Sequence, residues 1–324
     1  MSGRRQTLRF ERVRSFGRIM SDTRGFIRDN FVVFFKTMLF MVGPIVLLTC
    51  TLESFYQINL FKGNDISDGF NRLGSYIAIN SILSQARWAI NGLVTVVVVS
   101  HFIRVYREKG EGKFDISDVG RSIRKDFFGT LFAFIVMLLA VTVVALIIGY
   151  TMYGLAEVSV GGFVIIMLGG SVAYLLIRFP FWYFVFSVFF ARTSGPKNIN
   201  VFSGMGLAGK VFSGNWWMTW VIFFCMWLIL YLLGMAISLP AKMAGYILEL
   251  FSIDLSSDSP DFRLLQTVLT SVGEFARTIV NSVFCISVAL QFFSLKEKED
   301  GEGTKELIEE IGTKNDDDGI ELTY

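Results

Sequence analysis

Hydrophobic and polar positions along this chain follow one recurring pattern. From Val201 the sequence reads VFSGMGLAGKVFSGNWWMTW and continues into the apolar block VIFFCMWLILYLLGMAISL. Val201, Met205, Ala208 and Phe212 recur at helical spacing, which predicts a short amphipathic helix. Gly214 and Asn215 then precede a tryptophan pair that opens a long apolar helix. The same grammar occurs twice earlier. Setting Trp216 against Phe127 and Phe31 brings Phe212, Ile123 and Ile27 into register, then Ala208, Val119 and Thr23, then Met205, Ile116 and Met20. In each copy a polar residue (Asn30, Asp126 or Asn215) stands one position before the aromatic. The pattern predicts three pseudo-repeats, each an interfacial helix, a polar turn and a helical hairpin.

A helix needs about 20 apolar residues to cross the hydrocarbon core of a bilayer. Six blocks are that long: approximately 31–52, 83–103, 128–150, 163–190, 217–239 and 268–293. The expected fold class is therefore all-α, a polytopic membrane bundle of six transmembrane helices. Residues 1–30 form a basic amphipathic head, 31–295 the membrane domain, and 296–324 an acidic, mostly disordered tail. Pro44 predicts a kink in the first span, and Lys36 is near enough to its entry to snorkel. Segments 53–82 and 240–267 mix apolar and polar residues, and 53–82 holds enough apolar residues to be expected to cap the bundle.

Composition agrees with a membrane protein: 53% of the residues are hydrophobic, 18% are charged, and mean hydropathy is +0.54. Too few polar residues remain between the blocks for a soluble domain. Cys50, Cys225 and Cys285 each lie inside an apolar block, where a thiol behaves as a small hydrophobe.

Charge sets the orientation. The head carries eight Arg, and the loop after the second span adds Arg104, Arg107, Lys109, Lys113, Arg121, Arg124 and Lys125. The loop after the fourth span has Arg192, Lys197 and Lys210, whereas the opposite loops hold only Lys62, Arg72, Lys242 and Arg263. The positive-inside rule then places both termini in the cytoplasm. The N-terminus has no compact apolar core with a small-residue cleavage site, so the first span is expected to act as the targeting signal. In the head, Val13, Phe16, Met20 and Ile27 share one helical face and Arg14, Arg18 and Arg28 lie across from it. That arrangement suits a helix lying on an anionic leaflet; the alternative is a solvated basic head that only sets topology.

Catalytic chemistry is not legible. No GxSxG, HExxH or Walker pattern occurs. His101 is the single histidine, so no metal or other cofactor is expected; it is either an interfacial structural residue or a proton carrier. Polar residues within the spans are more informative, because burying charge in lipid is costly. Arg178 lies deep in the fourth block, just before Pro180. Either the helix breaks at Pro180 and 181–190 runs along the interface, or Arg178 is buried and paired, with Glu274, Glu157, Glu249 or carbonyls freed by the proline as partners. Arg87 and Asn91 make a polar step in the second span, and Glu274, Arg277 and Asn281 another in the sixth. These are either interhelical hydrogen bonds or the wall of a polar path.

Three stretches carry a family resemblance: RFERVRSFGRIMSDTRGFIRDNFVVFF, the pair LLIRFPFWYFVF with GLAGKVFSGNWWMTW, and ALQFFSLKEKEDGEGTKELIEEIG. Together they resemble the six-span membrane domain found beside bacterial glycerophosphodiester phosphodiesterases, and its stand-alone relatives in bacterial inner membranes. By position Arg178 matches an arginine late in the fourth span, Gly214, Asn215 and Trp216 the turn before the fifth, and Leu295 to Gly312 the acidic exit. The phosphodiesterase domain itself has no counterpart, so the resemblance implies a membrane module without that activity.

Two functional readings stand. The first is a non-enzymatic inner-membrane module that binds lipid, anionic lipid included, or organises a membrane-protein partner. The second is a permease for a small anionic or lipid-like solute that uses Arg178. Nucleic acid is not expected as a partner.

Overall fold

A computed structural model describes residues 8–61, 69–156, 180–195, 199–213, 216–250 and 260–301. The described elements are all helical: α1 (Phe16–Thr37), a π-helical segment (Met38–Val42), α2 (Gly43–Phe61), α3 (Gly69–Lys109), α4 (Ile116–Lys125), α5 (Phe127–Ala156), α6 (residues 180–193), α7 (Val201–Ser213), α8 (Trp216–Leu250) and α9 (Pro260–Asp300). Four stretches are long and apolar enough to cross a membrane: Phe16–Glu53, Leu83–Lys109, Thr219–Ala236 and Ser271–Asp300. The α4–α5 pair, bent by 77°, makes a fifth if it is counted as one span. Most of the expected fourth span, with Arg178, lies outside the described residues, as does nearly all of the acidic tail.

Helix α9 is the axis of the bundle, packing most extensively on α8 and also on α1, α2, α3 and α7. Its buried surface is rich in small hydroxyl residues, among them Ser271, Thr278, Ser282, Ser287 and Ser294. Such residues let helix backbones approach closely inside a membrane. Against α2, a Cβ added at Gly43 would sit 3.4 Å from the Phe275 ring. Against α1, the Arg14 backbone N–H donates to Ser294 Oγ at 2.8 Å, and Thr23 Oγ1 lies 3.2 Å from Ser287 Oγ. The segments around Arg14 and Ser294 thus share one end of the bundle, called here the near end.

Helix α1 corrects the expected layout. A polar turn at Asn30 was predicted to separate an interfacial head helix from the first span, yet α1 runs unbroken from Phe16 to Thr37. The Asn30 amide donates to the Phe26 carbonyl one turn back and stays within the helix. Ile19, Thr23, Phe26, Asn30 and Phe34 form one continuous buried stripe, so no change of face calls for a turn. Pro44 is accommodated by the π segment: the Gly43 N–H reaches back five residues to the Met38 carbonyl, widening the turn where proline cannot donate.

The turn expected at Asp126 does form, because that residue has partners on other segments. Its carboxylate accepts from Arg192 Nη2 at 2.9 Å and from Thr130 Oγ1 at 3.0 Å. A Cβ on Gly129 would lie 2.5 Å from Asp126 Oδ1 and 2.7 Å from Arg192 Nη2, so only glycine leaves room for this pair. Asp115 and Asp118 cap the start of α4 reciprocally. The Lys109 ammonium, 2.6 Å from Asp118, and the Asp115 backbone N–H hold the Asp118 carboxyl below the usual carboxylate range. His101 is buried, with Nδ1 2.9 Å from Ser122 Oγ and Nε2 3.2 Å from Thr130 Oγ1. Both ring nitrogens tie α3 to α4 and α5, as befits a structural residue.

The lipid-surface role expected for Arg14 is overturned. Its side chain is 1% exposed and pairs with Asp22 at 2.8 Å, and it also donates to the carbonyls of Arg9, Phe10 and Arg12. Phe10 beside it is buried among Phe26, Tyr106 and Phe293. This segment is pinned onto the protein because an aromatic anchor and a guanidinium that organises carbonyls have no better solvent. Arg18 and Arg28 do face outward, beside Asp22 and Asp29 respectively. Residues 181–190, expected either to run along the interface or to continue the fourth span, belong to the enclosed helix α6, with Tyr183, Val185, Val188, Phe189 and Phe190 all buried.

Replacing Arg14 by Gln removes charged hydrogen bonds to buried acceptors and should lower stability by about 2–3 kcal/mol. Arg18→Gln and Arg28→Gln should each change it by less than about 0.5 kcal/mol. Thermal unfolding of the three variants in detergent checks the contrast.

Candidate functional site

Polar residues of three helices meet at the far half of the bundle. On α2, the buried stripe Val42, Val46, Cys50 continues at helical spacing to Glu53. On α3, Ser84, Arg87, Asn91 and Thr95 share a face, and on α9 so do Glu274, Arg277, Thr278 and Asn281. Arg87 joins them. Its Nη1 lies 2.9 Å from Glu274 Oε2, and its Nε faces Glu53 Oε2 in a second ion pair. Glu53 Oε1 accepts from Ser84 Oγ at 3.0 Å. Arg277 Nη2 approaches Glu274 Oε2 at 3.1 Å. Two arginines and two glutamates balance in formal charge, as a set of ions within a membrane protein must.

The height of this cluster follows from the apolar belt. Phe31, Val32, Phe40, Leu47, Leu48 and Leu52 are exposed along α1 and α2. From Phe31 to Leu52 a helix rises about 32 Å, close to the thickness of a hydrocarbon core, about 30 Å. Glu53 comes next, so on α2 the ion cluster sits at the far end of this stretch, while on α8 and α9 exposed Leu239, Met243, Val268 and Val272 continue beyond it.

A cavity of about 450 Å³ opens beside the cluster, between α3, α6, α8 and α9. One wall is polar, with Arg87, Asn91, Thr95, Glu274, Arg277 and Asn281. The other is largely aromatic, with Trp182, Phe186, Phe223, Trp227 and Phe284. Trp88 packs edge-on against Trp182 with ring centroids 4.4 Å apart, holding α3 and α6 together at the cavity wall. From Arg277 the lining follows α9 toward the near end as far as Cys285, about 12 Å. Below it the bundle is closed by Val96, Val99, Phe189 and Leu290, all at 2% exposure or less.

Five residues singled out in the sequence, Arg87, Asn91, Glu274, Arg277 and Asn281, are thus brought together on one wall. Arg178 lies outside the described residues, and its candidate partner Glu274 is already held by two arginines. Arg14, Arg18 and Arg28 belong to the near half and take no part. Glu53 escaped the sequence reading because the first span was ended at residue 52. The stripe Val42, Val46, Cys50 was the signal that would have found it.

Both carboxylates are ion-paired, and the two cysteines nearest, Cys50 and Cys285, are buried and free of disulfides. Among the described residues no group of three or more His, Cys, Asp and Glu is placed to hold a metal ion. Comparison with protein-family models, with curated proteins and with solved structures finds no match to this chain. The fold and the cluster together define an integral membrane protein, all-α, with a charged cavity in the far half of its bundle.

Among the described residues, removing Arg87 leaves Glu53 without an ion-pair partner, and removing Glu274 leaves Arg277 without one. Arg87→Gln and Glu274→Gln should each destabilise by roughly 3–5 kcal/mol, and the double variant by less than the sum of the two. A double-mutant cycle on unfolding free energy in mixed micelles checks this; strict additivity would mean the pair is not formed.

Proposed function

We propose that this protein is a non-enzymatic membrane module that takes an amphiphilic molecule from the bilayer into its far-side cavity. The observation that carries the reading is the match between cavity and leaflet. Charge sits at the far end of the apolar stretch of α1 and α2 and an aromatic wall runs from it toward the membrane centre, as headgroup and chain do in the surrounding lipid. A volume of about 450 Å³ falls in the range of small-molecule sites, roughly 300–1,000 Å³.

Orientation adds to the reading. With basic loops facing the cytoplasm, the cavity opens in the outer leaflet of a bacterial inner membrane. Six spans, a pseudo-repeat kept in the copies that begin at α4 and α7, and descent from the membrane domain of glycerophosphodiester phosphodiesterases are part of the same proposal, with lipid rather than nucleic acid as partner. Binding is preferred to transport because the near half is packed: a permeation path would have to open between Phe189 on α6 and Leu290 on α9, both buried.

The test is to fill the cavity. Protein extracted gently and examined by native mass spectrometry should carry a bound amphiphile, and Asn281→Phe should lower its occupancy about tenfold, equivalent to about 1.4 kcal/mol. Equal occupancy in a variant that unfolds at the wild-type temperature would sink the reading.

A further inference from the structure

Resting on that reading of the cavity, we propose that its two arginines have different tasks. Arg87 holds the bundle together, and Arg277 receives the ligand's acid group, a phosphate or a carboxylate joined to an apolar body.

The contacts separate the two. Arg87 is gripped by carboxylates from both sides, Glu53 on α2 and Glu274 on α9, and its side chain is 16% exposed. An acid group arriving there would compete with two of the protein's own, and displacing Glu53 would leave that carboxylate without an ion-pair partner among the described residues, at a cost of several kcal/mol. Arg277 is held on one side only. Among the described residues Glu274 is its one ion-pair partner, reached through a single nitrogen, and its side chain is 26% exposed at the cavity. Glu274 Oε2 is moreover the same oxygen that Arg87 engages, so Glu274 remains paired when Arg277 turns to another acceptor. A guanidinium has five N–H donors in a planar fork that fits carboxylate or phosphate with two parallel bonds.

The backbone of α8 helps aim it. A Cβ at Gly234 would come 3.3 Å from Arg277 Cγ, so α8 supports the stem of the side chain while the head stays at the cavity. Arg277 lies three residues inside Glu274, about 4.5 Å toward the membrane centre, which places the bound acid group just inside the ion cluster. Asn281, one turn deeper on the same wall, offers an amide to a further oxygen. The wall that a ligand meets holds Arg87, Arg277 and Glu274, with Glu53 outside that lining, so the face presented to it carries one positive charge in excess.

The experiment uses full-length protein in phosphatidylcholine nanodiscs and counts bound probe by native mass spectrometry. Dodecyl phosphate should bind wild type at least about tenfold more tightly than dodecanol, as expected for a hydrogen-bonded charge pair. Arg277→Gln should abolish that difference while leaving dodecanol binding and the unfolding temperature in place, and Arg277→Lys should retain part of it. Inorganic phosphate that competes with dodecyl phosphate would assign the site to free anions, and failure to compete would assign it to acidic amphiphiles. Equal affinity of wild type for the two dodecyl probes overturns the role of Arg277 while leaving the cavity reading intact. Failure of wild type to bind either probe overturns both. Undiminished preference for dodecyl phosphate in Arg277→Gln also overturns the proposal. Should Arg277→Gln not fold, the two-probe comparison on wild type and Arg277→Lys still decides.

Discussion

The contact on which the far half of the bundle depends is the double ion pair of Arg87. It joins Glu53 on α2 to Glu274 on α9 through a guanidinium carried by α3. Three long helices are thereby fixed in rotation and in height at one level. Apolar packing alone does neither well inside a membrane, where lipid tails solvate a leucine as readily as another helix does. A charge that must meet its counter-charge has few registers to choose from, because every misaligned register leaves ions in lipid. The serine-rich surface of α9 supplies the close approach, and the ion pair sets where along the helices that approach occurs.

The near half solves the same problem with more partners and, among the described residues, only a small void of about 10 Å³ beside Thr219 and Ser287. Arg192 is held by Asp126 and by the Ile199 carbonyl, Arg14 by Asp22 and three carbonyls, and Arg107 pairs with Glu11 while lying 5.0 Å from the Phe293 ring centre. Arg192 and Arg107 join chain segments that are distant in sequence, Arg14 holds its own segment together, and phenylalanine packs beside them. A bundle shut at one end and open beside a charged cluster at the other is polarised by construction. Its two ends cannot do the same work.

Much of this was legible in the chain before folding, and the exceptions share a cause. The apolar blocks announce α1–α2, α3, α5, α8 and α9, since length and hydropathy are local properties. The polar stripes Arg87–Asn91 and Glu274–Arg277–Asn281 announce one wall, since helical spacing is local as well. Asn30 and Asp126 look alike in the sequence, each a polar residue before phenylalanine. Asp126 ends its helix because Arg192, 66 residues away, waits for it, whereas Asn30 satisfies itself on Phe26 and the helix runs on. Arg14 reads as a lipid-facing charge until Asp22 and the carbonyls of residues 9–12 are seen to enclose it. In each case the deciding partner is supplied by tertiary structure and leaves no mark at the residue itself.

The cavity follows from this asymmetry, and its chemistry bears on what fills it. At the level where the near half places Val96, Val99, Ile286 and Leu290, the far half places Asn91, Thr95, Thr278 and Asn281 on the same two helices. An apolar void of this size stays dry and loses dispersion contacts around its lining. The polar side chains of this lining are held by the protein itself, Thr95 on the Asn91 carbonyl, Thr278 on the Glu274 carbonyl, and Asn91 Oδ1 accepting from Thr49. Aliphatic residues at those four positions would allow α3 and α9 to pack as they do below. The helices are instead kept apart beside an aromatic wall that offers no hydrogen bonds in return. Under the proposed function, an amphiphile would meet the polar wall with one side and the aromatic wall with the other.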